Sequence, residues 1–317
     1  MKSIRIATIG TPSDYRSGLI PIIAQSLGYT LVWSAPKEAD LEIIGAFAPE
    51  PAKPFRWCPK PLRPLLAKTI VSAPAKPERR FRPLRLFHTF ENLRHNHREA
   101  EYALSFDLAV NSERHFRHPY WMEMIDWSRE GIIGNTNPRF GALLTIERLQ
   151  RPLGTEFLSR APRALFFTSH LREPRATLLE ALERILSVDK CGPHFDSSIV
   201  DHHRSGFTKL ERLQTVGFNL CPENGMFPGY YTEKIPEAFF AGTLPITWCD
   251  SNVVVDFNPR AILNLAPMMH NRFTELAPLL NDPKALAPFA DEVLLTHTPS
   301  LEPLRQFIAQ VLADATS

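Results

Sequence analysis

The stretch from Phe218 to Asn258 reads FNLCPENGMFPGYYTEKIPEAFFAGTLPITWCDSNVVVDFN, and it constrains the fold more than any other part of the chain. A short apolar run, Phe218 to Cys221, has the composition of a buried strand. A polar loop with Gly225 and Gly229 follows, then Thr232-Glu233-Lys234 opens an apolar-faced helix that stops at Gly242. A second strand, Leu244 to Trp248, comes next. In α/β proteins the unit of strand, glycine-bearing loop and helix start aims backbone N–H groups and the positive end of the helix dipole at an anion. Lys234 places a cation in the first turn, where a helix prefers negative charge, so the position is unfavourable unless an anion sits beside it.

The rest of the chain alternates in the same way. Ile4 to Ile9 predicts a strand and Leu19 to Leu27 an apolar helix closed by Gly28, with further strands at Thr30 to Ser34 and Asp40 to Phe47. Pro49 to Pro83 holds nine prolines without a sustained period and predicts a long connection, basic between Lys76 and Arg85. Strands resume at Leu84 to Thr89 and Tyr102 to Asn111, and the aromatic-rich Pro119 to Trp127 predicts a helix. Gly131 to Arg163 has no clear period and is assigned to the crossover between halves. A second half starts with a strand at Ala164 to Thr168. Leu178, Leu182, Ile185 and Leu186 then give helical spacing across Arg175 to Val188, and Ser300 to Ala315 reads as a final amphipathic helix. Strands alternating with helices imply a mainly parallel sheet, and 317 residues exceed one typical core.

Composition removes several classes. A formal charge of +2 argues against general nucleic-acid binding. Cys58, Cys191, Cys221 and Cys249 are far apart and form no C-x-x-C pair, so they read as reduced thiols of a reducing compartment. No run of about 18 apolar residues is present, and Met1 leads directly into a strand.

The run Glu223-Asn224, then Gly229-Tyr230-Tyr231-Thr232-Glu233-Lys234-Ile235, then Asp256-Phe257-Asn258-Pro259, resembles the signature of the α1,3/4-fucosyltransferases, glycosyltransferase family 10. The likeness extends weakly from Phe87 to about Asn264, something over half of the chain. It implies an α/β, GT-B-like fold of two Rossmann-like domains facing a cleft. The expected division is an acceptor-side domain over 1–155, a GDP-sugar-binding domain over 156–290 and a C-terminal helix over 291–317 that returns to the first domain. It also implies an inverting transfer of L-fucose from GDP-fucose to a hydroxyl of an oligosaccharide or polysaccharide acceptor. The alternatives are transfer from another GDP-sugar and a non-catalytic sugar- or nucleotide-binding protein of the same fold. Animal members are anchored by an N-terminal membrane helix. With no such anchor here, the expectation is a bacterial-type cytoplasmic enzyme with no transmembrane segment, compatible with peripheral attachment to the membrane.

Such a reaction needs a base for the acceptor hydroxyl and cations for the departing diphosphate. Lys234 and Arg175 are the candidates for the leaving group. Arg175 matches the family arginine between the second-half strand and its helix, and a guanidinium can grip two phosphate oxygens at once. A solvated surface arginine is the alternative for Arg175. By the same resemblance Tyr230, Asn224 and Glu233 meet the nucleotide sugar. Glu223 either binds the donor or only ties down its loop. Phe87-His88-Thr89-Phe90-Glu91-Asn92-Leu93-Arg94 resembles the segment that carries the acceptor-activating glutamate, which makes Glu91 the general base; a glutamate that caps the loop or pairs with Arg94 is the bland alternative. Asp201-His202-His203 and His95-Asn96-His97 suggest metal sites but lack partners at useful spacing. No metal site and no obligatory cofactor are expected, with Mn²⁺ or Mg²⁺ stimulation left open. The chain departs from the family pattern at Gly217, Pro222, Pro236, Cys249 and Val255, which puts fine substrate preference in doubt.

Overall fold

The computed structural model describes residues 2–49, 82–195 and 208–317. Within them the strands form two parallel sheets. The first comprises β1 (Lys2–Ile9), β2 (Tyr29–Trp33), β3 (Leu41–Ile44), β4 (Leu84–His88), β5 (Tyr102–Ser105) and β6 (His115–Arg117), in the order β2-β1-β3-β4-β5-β6. The second comprises β7 (Ala161–Phe167), β8 (Ser187–Cys191), β9 (Val216–Leu220), β10 (Leu244–Thr247) and β11 (Leu263–Asn264), in the order β11-β10-β9-β7-β8. The parallel strands are those that the alternating pattern implied, and the two-sheet, GT-B-like arrangement is the one that the family resemblance implied.

Continuous apolar runs explain the parallel pairing, because strands covered on both faces need no polar alternation. All four residues of β3 and all five of β9 are buried. In each sheet the chain order reverses beside one strand, β1 in the first and β7 in the second. Loops leaving the carboxyl ends at such a reversal diverge and open a crevice. The loops after β1, β3, β4, β7 and β9 all open into one cleft.

Several elements differ from the sequence reading. Pro119 to Trp127 forms one 3-10 segment, Tyr120–Met124, in place of a longer helix. Its rings are spent on anchoring: Trp121 packs on Phe257 at 5.4 Å and the buried Trp127 indole donates to the Met122 carbonyl at 2.9 Å. The short β6 and two-residue β11 were not expected, since each has too few residues to show a period. The helix predicted across Arg175 to Val188 ends at Glu183, and Val188 belongs to β8. The proline-rich connection and the Asp201-His202-His203 run lie outside the described residues, apart from the connection's two ends.

The two halves are held together by polar and apolar contacts. Arg117 of β6 pairs with Asp256 of the signature through two hydrogen bonds, 2.6 and 2.9 Å, and donates to the Gly229 carbonyl at 3.2 Å. Gly229 itself has φ +91°, and a Cβ there would lie 2.5 Å from the Phe106 carbonyl oxygen, so only glycine allows the signature loop to approach the first half this closely. The last helix, Glu302–Ala315, buries Ile308, Val311 and Leu312 against Ile6, Ile43 and Leu86 of the first sheet. No helix among the described residues is long and apolar enough to cross a membrane.

Candidate active site

The cleft between the sheets measures about 540 Å³, within the range of small-ligand sites. One wall carries Glu91 and His88 from the end of β4. The facing wall carries Arg175, Asn224, Tyr230, Glu233 and Lys234. Six of the seven residues singled out in the sequence therefore border one space. Glu223 does not: it lies beneath the wall, 1% exposed.

Glu223 is a buried tie. It accepts hydrogen bonds from the Thr232 backbone N–H at 2.8 Å, from the Thr232 hydroxyl at 2.8 and 3.1 Å, and from Lys234 Nζ at 3.2 Å. Of the two roles open in the sequence, the geometry gives it the tying one. It also answers the cost noted for Lys234: the anion beside the first-turn lysine is in the protein. Burial works against charge on Lys234, but the Glu223 and Glu233 carboxylates override it and hold the ammonium well above its ordinary pKa. Lys234 Nζ also lies 2.7 Å from the Thr232 hydroxyl, and its side chain keeps 18% exposure toward the cleft. It is a fixed cation with one open side.

Arg175 begins the helix Arg175–Glu183 and is 5% exposed, which rules out the solvated alternative. It donates to the Thr168 hydroxyl at 2.8 Å, lies 3.2 Å from His170 Nε2, and bonds Asn224 Oδ1. Burial lowers its pKa, opposed by Glu223, Tyr230 and Glu233, and a guanidinium remains charged regardless. Tyr230 is 3% exposed and packs edge-on against Phe106 at 5.0 Å; burial pushes its phenol well up, so it stays a neutral hydrogen-bonding group. Glu233 is disfavoured as a carboxylate by burial, but Lys234, Lys209 and Arg139 outweigh this and keep it ionised.

Glu91 is half-buried on the opposite wall, its backbone fixed by a 3.1 Å hydrogen bond to the Thr89 hydroxyl. The Arg94 alternative is not realised: Arg94 pairs with Asp107 and lies over the Phe227 ring at 4.0 Å. His95 is likewise tied to Asp107, at 2.9 Å. Behind Glu91 lies a buried polar cluster. The Tyr15 hydroxyl meets His88 Nδ1 at 2.8 Å, His118 Nε2 meets Glu123 Oε1 at 2.8 Å, and Glu123 Oε2 accepts from the Leu19 N–H at 3.2 Å. His88, His118 and Glu123 are the group among the described residues whose composition could hold a metal ion. The bonds to Tyr15 and Glu123 use one ring nitrogen of each histidine, and His88 Nε2 and His118 Nδ1 have no hydrogen-bond partner among the described residues. Burial together with His118 holds His88 well below its ordinary pKa.

Sequence reasoning missed Arg139, Lys209, Tyr120 and Phe47, all of which line the cleft. Lys209 forms a buried ion pair with Glu237 at 2.6 Å, and Asn137 donates to the same carboxylate at 2.9 Å. The Thr208-x-x-Glu211 capping box marked the helix start at Lys209 as a local signal, but nothing local marks Arg139. One departure from the family pattern has a steric reason: a Cβ at Gly217 would lie 2.8 Å from the Phe157 carbonyl oxygen, so no lysine fits there.

Comparison with known proteins agrees with this arrangement. No family model matches the chain. It is 29% identical over 201 residues to the α-(1,3)-fucosyltransferase FucT of Helicobacter pylori. That match covers 57% of this chain and only 40% of the relative. Solved structures of an α1,3-fucosyltransferase superpose over 98% of this chain: one with GDP-fucose, at TM-score 0.65 and 20% identity, and one with GDP, at 0.65 and 22%. Each superposition covers 91% of the solved chain. The protein is thus a sequence relative of a bacterial α1,3-fucosyltransferase and has the fold of the solved α1,3-fucosyltransferases.

Proposed function

We propose that the protein transfers L-fucose from GDP-fucose, with inversion, to a hydroxyl group of a glycan acceptor in an α1,3- or α1,4-type linkage. The observation that carries this reading is the placement of Glu91 across one cleft from Arg175 and Lys234, each fixed by its own half. The acceptor hydroxyl loses its proton to Glu91 as its oxygen attacks the anomeric carbon. The bond from that carbon to the β-phosphate oxygen breaks, and the electron pair leaves on GDP. Arg175 and Lys234 face the diphosphate as its charge grows, which lowers the barrier because both cations are already oriented. Asn224, Tyr230 and Glu233 hold the nucleotide sugar, and Glu223 acts through Lys234. Two walls from different sheets suit opposite-face attack, since base and leaving group must flank the sugar.

Incubation with labelled GDP-fucose and GDP-mannose, with and without a panel of glycan acceptors, tests the proposal. Fucosylated product and fucose-selective hydrolysis are expected. Turnover of GDP-mannose in preference would assign another GDP-sugar, and nucleotide binding without turnover of either would remove the enzyme reading.

A further inference from the structure

Arg139 stands on an anchored perch. Asn137, two residues earlier, bonds Glu237 of the signature helix Lys234–Phe240, and its side-chain and backbone oxygens accept the N–H groups of Phe140 at 3.3 Å and Gly141 at 2.9 Å. The carbonyl of Arg139 accepts from the Lys209 N–H at 3.3 Å, and that of Phe140 from the Leu210 N–H at 3.0 Å. Phe140 is fully buried, 5.8 Å from the ring of Phe240. The backbone on both sides of Arg139 is therefore fastened to the half that carries Lys234, while its side chain is exposed and lines the cleft.

The other cleft cations are engaged. Lys209 is paired with Glu237, Lys234 with Glu223 and Glu233, and Arg175 is hydrogen-bonded to Thr168 and Asn224. Arg139 forms no ion pair and no side-chain hydrogen bond among the described residues, and its charge acts on both Glu233 and Tyr120. A rigid support that holds a guanidinium with free donors at the cleft wall keeps it ready for an anion that enters the cleft.

We infer that Arg139 is a third cation on the nucleotide diphosphate, contacting the β-phosphate and stabilising the charge that the departing electron pair leaves there. The inference rests on the proposed use of a GDP-sugar. It makes the linker between the halves part of the donor site. Arg175 and Lys234 are locked by partners, so Arg139 is the cation with the freedom to follow the phosphate as its bond breaks.

Calorimetry with GDP and GMP on the wild type, Arg139→Ala and Arg139→Lys tests this, with transfer rates measured in parallel. Arg139→Ala should weaken GDP binding about tenfold, leave GMP binding unchanged and lower kcat about 10²-fold, with Arg139→Lys recovering part of each. The exposed side chain predicts an unchanged melting temperature. Equal GDP affinity in wild type and Arg139→Ala would overturn the inference alone. A raised acceptor KM with unchanged GDP binding would also overturn it, placing Arg139 on the acceptor. Parallel losses for GDP and GMP would overturn it by locating the effect at the nucleoside or in the fold. Absence of GDP binding in the wild type would remove the proposed function itself.

Discussion

Removing the Glu223 side chain strikes a carboxylate that organises the start of the signature helix without lining the cleft. Glu223→Ala deletes the acceptor of the Thr232 N–H and hydroxyl and leaves Lys234 with Glu233 at 3.7 Å as its remaining counter-charge. Glu223 is buried and Lys234 mostly so, so the loss belongs with broken buried pairs, about 3–5 kcal/mol. Unfolding entropy of roughly 2.1 cal/mol/K per residue makes each kcal/mol about 1.5 °C for a chain of 317 residues. The melting temperature should therefore fall by about 5–8 °C. Glu223→Gln keeps an oxygen for Thr232 but still removes the nearer counter-charge of Lys234, so it should destabilise less than Glu223→Ala without matching the wild type. Transfer should fall in both, because Lys234 is no longer held. Differential scanning fluorimetry and a radiolabelled transfer assay measure the two effects. A melting temperature within about 1 °C of wild type for Glu223→Ala would refute the tying role, the drop expected for even a single lost buried bond being larger. A selective loss of GDP-fucose binding without destabilisation would return Glu223 to the list of donor contacts.

Three further outcomes are expected. Lys234→Ala should lower transfer by about 10²-fold or more, and Arg175→Ala should do so while also weakening GDP binding in calorimetry; near-wild-type turnover in either would remove its role on the leaving group. Transfer should survive exhaustive EDTA treatment in large part, because the proposed contacts to the leaving group are basic side chains; complete loss restored by Mn²⁺ would show a cation in the reaction. Although burial opposes ionisation of Asp107, its bonds from His95 and Ser105 and its pair with Arg94 hold the carboxyl below its ordinary value of 3.8. A depressed folded pKa contributes stability that is present above that ordinary value and lost as pH falls through the folded one. Asp107→Asn should therefore flatten the acid limb of a stability-against-pH curve below about pH 4, and an unchanged limb would contradict this.

The signature half was legible because its information is local. Thr232-Glu233-Lys234 announces a helix start, and the apolar run from Phe218 to Cys221 announces the strand that forms as β9. What escaped the sequence is long-range. The Arg117–Asp256 clasp joins residues 139 positions apart, and the Glu237–Asn137 bond that carries the Arg139 perch joins residues 100 apart. Tyr120 belongs to an aromatic-rich run read as a helix, and its rings instead anchor a 3-10 segment. Glu223 was readable as important but not as buried, since its partners Thr232 and Lys234 lie 9 and 11 residues further along the chain.

In the proposed reaction the base and the donor site sit on opposite walls of one cleft. Glu91→Gln tests it most directly, since it keeps the side chain's shape but removes its capacity to take a proton. GDP-fucose binding by calorimetry and fucose transfer should be measured on the same preparation. Donor affinity should stay close to wild type while transfer falls about 10²–10⁴-fold. Normal transfer by Glu91→Gln, or loss of GDP-fucose binding, would contradict it.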